Sequence, residues 1–103
     1  MSLSSHNNVW NTCLRILRDR GFDLRVEGEL EPDGSYPVRC SWTAEKDGFI
    51  LTAYNPIELL GLAVIYEYVK PTENQPYWWS LDGPDIVTEL MERAFPDPEE
   101  PRS

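Results

Sequence analysis

The residue types that most often carry catalysis are scarce in this chain. It has one histidine, His6, and two cysteines, Cys13 and Cys40. A nucleophile–histidine pair needs a scaffold that holds the imidazole, and His6 lies in a polar leader. Two cysteines make neither a disulfide framework nor a zinc site. Phosphate-binding glycine loops and serine-esterase elbows are missing. The sequence predicts no catalytic residue, metal ligand or cofactor and favours a non-enzymatic role.

Acidic residues form a short row in the first third of the chain. Glu27, Glu29 and Glu31 alternate with apolar positions, so a strand there would place them on one face. Such a row could bind a cation or a basic protein partner. The same row is also typical of the solvated face of a strand. Charges on such a face discourage edge-to-edge pairing of strands. We keep these residues as candidate partner-binding residues beside that simpler interpretation.

Aromatic residues are the other unusual feature. The chain has four tryptophans, and Tyr77, Trp78 and Trp79 are consecutive. Consecutive side chains in an extended segment alternate in direction, so one of the three is expected to point outward. Tryptophan and tyrosine anchor protein interfaces and line ligand pockets. The three residues are therefore candidate partner-binding residues, with a core role and a ligand pocket as the alternatives.

Hydrophobic periodicity predicts the elements that would position these residues. Apolar positions recur at helical spacing over residues 9–20 after Asn8, a candidate cap, and Gly21 ends the run. Strands are predicted over residues 22–30, 36–44 and 49–54, with Asp-Gly turns between them. Asn55 and Pro56 then predict a helix start. A polar loop over residues 70–76, the aromatic segment over residues 77–81 and a helix over residues 85–95 follow.

These elements predict one α+β domain over residues 8–95. It has an N-terminal helix, a three- or four-stranded antiparallel meander, a buried central helix and a C-terminal amphipathic helix. The fourth strand would be the aromatic segment. Residues 1–7 are expected to be a flexible leader, and residues 96–103 a disordered acidic tail.

The central helix, predicted from Ile57 to Val69, has no polar stripe. Its two acids, Glu58 and Glu67, point to opposite sides at about 100° per residue. It is therefore expected to be buried almost all round. One small sheet and two amphipathic helices have difficulty enclosing such a helix, and a homodimer that covers one side of it would resolve this.

The charge balance limits the classes of partner. The chain has 9 Lys and Arg against 18 Asp and Glu, a formal net charge of −9. Nucleic acid and anionic membranes would be repelled, whereas a basic protein would be attracted. The charge also serves solubility alone. The first residues do not resemble a signal peptide, and no apolar run is long enough to span a bilayer. A cytoplasmic location is the default expectation.

Two functional hypotheses follow from these patterns. The first is a small acidic interaction or regulatory protein that is not an enzyme: an adaptor, chaperone-like or immunity-like protein. The alternative is a small-ligand-binding domain, or an enzyme that uses only carboxylates and tyrosine. An exposed aromatic patch would favour the first, and a concave pocket with a perturbed carboxylate would favour the second.

Overall fold

The computed structural model describes residues 1–37, 39–73 and 75–96. The described chain contains three helices and one antiparallel sheet, so the α+β class with a meander is confirmed. In chain order the elements are α1 (Asn7–Asp19), β1 (Asp23–Glu27), β2 (Ser41–Lys46), β3 (Phe49–Ala53), α2 (Pro56–Val69) and α3 (Ile86–Ala94).

The sheet is a three-stranded meander in the order β1-β2-β3. β2 and β3 are joined by Asp47 and Gly48, whose φ angles of 52° and 84° are both positive. This is the backbone of a two-residue type I′ hairpin, which suits the twist of the strands. Both neighbouring pairs are antiparallel.

β1 ends earlier than the first predicted strand, and β2 begins later than the second. Pairing of β1 with β2 ends at Glu27 opposite Ser41. Residues 28–31 and the described part of 36–40 therefore have no partner strand, although their apolar alternation resembles one. Val38, which falls in the predicted second strand, lies outside the described residues. Alternation alone cannot make a strand because the backbone groups need a neighbour.

A fourth strand is absent from the part of the chain that the structure describes. Residues 76–79 form a turn, with Ser80 N donating to the Tyr77 carbonyl at 3.0 Å. Both β1 and β3 are consequently edge strands of the sheet.

The core lies between one face of the sheet and the helices α1 and α2. Leu17 of α1 and Leu59 of α2 are fully buried and pack in one cluster with Phe22, Ala44 and Leu51. α1 begins two residues earlier than predicted, because the Nδ1 atom of His6 rather than the side chain of Asn8 caps it. The predicted stop at Gly21 agrees with the structure.

The predicted burial of the central helix is not confirmed. Asn55 caps α2 and Pro56 occupies its first turn, as predicted. Within α2 only Pro56, Leu59 and Ala63 are buried, because the sheet and α1 cover one side of the helix. Packing of α3 is also not confirmed, since none of its residues is buried. Residues 97–103 of the predicted tail lie outside the described residues, and the domain limits stay predictions.

Candidate functional site

The side of α2 that faces away from the sheet is apolar and open to solvent. Leu59 and Ala63 are buried, whereas Val64, Ile65 and Tyr68 are exposed by 50%, 39% and 74%. α2 ends at Lys70, which has a left-handed φ of 53° and donates its N–H to the Tyr66 carbonyl. That turn directs the following chain back across the end of the helix.

Trp78 attaches the aromatic segment to the core. Its ring packs edge-on against Phe49 at a centroid distance of 5.9 Å and against Tyr66 at 6.2 Å. Phe49 and Tyr66 are themselves 5.1 Å apart. Burial raises the pKa of the Tyr66 hydroxyl, and the Asp47 carboxylate adds to this rise. Trp78 is thus a core-capping residue, which is one of the alternatives that the sequence leaves open.

Tyr77 and Trp79 flank Trp78 and remain outside the core. They are exposed by 74% and 53%, and their rings meet edge-on at 5.8 Å. Tyr77 has a φ of 61°, a left-handed conformation that is costly for a bulky residue. This turn places two aromatic side chains on the surface beside α2.

α3 presents a second apolar surface next to these aromatics. Asp85 caps the helix: one of its carboxylate oxygens accepts the Thr88 N–H at 3.1 Å and the other accepts the Thr88 hydroxyl at 2.8 Å. These bonds lower the pKa of Asp85, the backbone bond contributing most. One side of α3 is apolar and exposed, formed by Ile86, Val87, Leu90 and Met91.

The three segments together line a groove of about 660 Å³. We call it the α2–α3 groove. Its walls include Val64, Ile65 and Tyr68 of α2, Trp79 and Leu81 of the aromatic segment, and Ile86 and Val87 of α3. Among the described residues that line it, Asp85 is the only ionisable group apart from the tyrosine, and it is already engaged as the helix cap. The groove can therefore bind an apolar surface, but its lining does not supply an acid–base pair.

The acidic row is not assembled as the sequence predicts. Glu27 ends β1, whereas Glu29 and Glu31 lie in the loop beyond it and are exposed. Glu31 takes part in a turn, with its N–H donating to the Ser35 carbonyl at 2.9 Å. The prediction of one strand face for all three was wrong because the strand ends before Gly28. Their role in partner binding stays a prediction.

A second cavity, of about 360 Å³, lies at the N-terminal ends of α1 and α2. His6 and Glu58 are in its lining, but the His6 Nδ1 atom is occupied as a helix cap. Asp33 is the other carboxylate with a lowered pKa, which results mainly from the Ser35 hydroxyl. Asp33 and Asp85 both serve local turns. Among the described residues, no group of three or more His, Cys, Asp or Glu could hold a metal ion.

Sequence reasoning identified Tyr77 and Trp79 but missed the groove walls on α2 and α3. The missing polar stripe of α2 was the available signal, and it predicts burial of the helix, with a second copy of the chain covering one side, but not a groove with α3. Cys13 is buried, Cys40 is half-buried, and both are free thiols.

Comparisons with known proteins do not assign this chain to a family. No helix among the described residues has both the length and the apolar character needed to cross a membrane. No protein-family model, no curated protein and no solved structure matches this chain.

Proposed function

We propose that this protein is a non-catalytic interaction protein that docks another protein in its α2–α3 groove. The observation that carries the proposal is the exposed apolar surface around that groove. An acidic chain with an apolar docking site fits an adaptor, chaperone-like or immunity-like role.

The apolar surface is large for a chain of this size. Tyr68 and Trp79 are exposed by 74% and 53%, and at about 200 Å² for a full aromatic side chain they leave about 250 Å² in water. Leu81, Ile86 and Val87, which line the same groove, are each more than half exposed. With Val64 and Ile65, the total is on the order of 700 Å², above the roughly 300–600 Å² of the largest patch on a typical monomer.

Size and shape favour a protein partner. Each side of a standard protein interface contributes about 800 Å², close to the surface available here. Tyrosine and tryptophan, present in the groove lining as Tyr68 and Trp79, are the usual anchors of such interfaces. The acids Asp82, Asp85, Glu89 and Glu92 lie along the same stretch of chain, so a partner with a basic rim around an apolar centre would be attracted.

The same reasoning supports self-association. We propose that the chain forms a homodimer through α2, the helix predicted from Ile57 to Val69. Its outward side is apolar and is not covered within the described chain.

A pair of lysine variants on α3 tests the docking role of the apolar surface beside the groove. Leu90→Lys places a charge on the apolar side, and Glu92→Lys places the same side chain on the polar side. Tagged wild type and both variants are used to capture proteins from a lysate of the source cells. We expect a protein that wild type and Glu92→Lys retain and that Leu90→Lys loses.

The charge changes make the comparison stringent. Glu92→Lys changes the net charge by two units and Leu90→Lys by one, so attachment by charge alone would be weakened more by Glu92→Lys. The same proteins captured by all three forms, or loss with Glu92→Lys only, would contradict the proposal. Both variants should fold, because α3 has no buried residue.

A further inference from the structure

We infer that a second copy of the chain docks along β3, so that two three-stranded sheets join into one six-stranded sheet with the two α2 helices side by side. This inference rests on the proposed homodimer. The proposed interface adjoins the α2–α3 groove and shares the side chain of Ile65 with it.

The open edge of β3 has free backbone groups. In a two-residue hairpin, the residues next to the turn, Lys46 and Phe49, form a hydrogen-bonded pair, and bonded pairs then alternate along the ladder. The N–H and C=O groups of Ile50 and Thr52 therefore point away from β2. They are available to an added strand.

The two edges of the sheet differ in charge. β1 carries Asp23, Arg25 and Glu27 along five residues, and charged side chains are a common protection against edge pairing. β3 has the sequence FILTA, and residues 48–57 contain no charged side chain. Ile50 is 59% exposed on this uncharged strand, so only the β3 edge is suited to receive another strand.

Gly61 lies on the side of α2 that faces this edge. It lines a shallow depression together with Thr52 and Tyr54 of the β3 end and Leu62 and Ile65 of α2. A Cβ atom at Gly61 would meet no atom within 4 Å, so packing within one chain does not require glycine there. Glycine inside a helix is less stable than alanine at the same position. A second helix that packs closely against α2 would explain why this position is a glycine, because glycine has no side chain to obstruct the approach.

Charge and area both select a second copy as the occupant. Two chains of net charge −9 repel each other least where the surfaces that meet carry little charge. Residues 48–57 carry none, and Glu58 is the one charged residue among the described residues that line the depression. A helix of 14 residues is about 21 Å long, and sheet and helix layers lie about 10 Å apart. The two layers together make an edge about 20 Å high, which supplies about 400 Å² per copy, and the total of about 800 Å² is the size of a weak, reversible interface.

The geometry of the pairing is set by the length of β3. Full overlap of two antiparallel copies of a five-residue strand places Leu51 on the twofold axis. Ile50 then lies opposite the partner subunit's Thr52, and the free amides of both are paired.

Amide hydrogen exchange measured by NMR tests this arrangement directly. The amides of Ile50 and Thr52 should become protected as the protein concentration rises from about 5 to about 500 µM, the range expected for an interface near the lower size limit. The matched control is the other edge: in the β1–β2 register, the amides of Leu24 and Val26 point outward and should exchange rapidly at every concentration. Rapid exchange at Ile50 and Thr52 throughout, or a single-chain mass over the whole range, would overturn the inference.

Two α2 variants separate this interface from the groove. Gly61→Gln places a good helix former where the second helix is expected, and should weaken dimerisation roughly tenfold or more, measured by analytical ultracentrifugation. Val64→Gln, on the groove side, should leave dimerisation unchanged. A dimer that is insensitive to Gly61→Gln would overturn the inference. Capture of a partner through the groove would still test the proposed function, since that experiment depends on α3.

Discussion

α1 and α3 have the same kind of sequence pattern but different surroundings. Each is a short helix with an apolar and a polar side, and each begins with a side-chain cap, His6 in α1 and Asp85 in α3. α1 buries Cys13 and Leu17, whereas α3 buries no residue. An amphipathic pattern therefore predicts that a surface is available for packing, but it does not say what will cover it.

The size of the sheet explains the difference. Three strands at about 4.8 Å spacing make a sheet about 14 Å wide, and two helices of about 10 Å diameter fill one face of it. α1 and α2 occupy that face. That face has no room for α3, which comes later in the chain and buries no residue, so the apolar side of α3 stays free for the proposed partner.

The largest expected effect comes from a matched pair of leucine truncations in these two helices. Leu17→Ala removes a fully buried side chain and should lower the free energy of unfolding by about 2–5 kcal/mol. Leu90→Ala removes one that is 51% exposed and should change it by less than about 0.5 kcal/mol. Urea denaturation followed by circular dichroism measures both. Similar losses for the two variants would show that α3 is packed.

The aromatic segment gives a second, smaller contrast. Trp78→Ala removes the ring that packs on Phe49 and Tyr66 and should cost about 2 kcal/mol, less than a fully buried tryptophan. Trp79→Ala removes an exposed ring and should cost under about 0.5 kcal/mol. Denaturation curves that reverse this order would contradict the assignment of Trp78 to the core and Trp79 to the surface.

Acid should affect α3 but not the buried part of α1. The pKa of Asp85 is lowered from 3.8 in the folded chain, so its cap stabilises α3 fully above that value. The stabilisation is lost as the pH falls through the lowered pKa. Carbon chemical shifts of residues 86–94 should therefore show fraying below a pH of about 4, while residues 13–19 of α1, which include the buried Cys13 and Leu17, keep theirs. Asp85→Asn retains an acceptor that does not titrate, and should remove this pH dependence.

Much of the fold could be predicted from local signals. Asn55 with Pro56, Gly21 and the Asp47–Gly48 turn mark element ends by backbone chemistry, and the structure places ends there. The limits of β1 and β2 could not be predicted, because they depend on pairing between Glu27 and Ser41. Within the candidate site, Tyr77 and Trp79 were recognised by composition. Val64, Ile65 and Ile86 were not, since they look like core residues until the sheet proves too narrow to cover them.

The sequence by itself determined the helices, the turns, the apolar character of α2 and the lack of the usual catalytic motifs. These properties follow from neighbouring residues through capping, φ preferences and periodicity. The tertiary structure decided which apolar sides are buried. Trp78 packs inward and Trp79 outward, and α3 is left uncovered, because packing depends on how much sheet surface is available and not on any one segment.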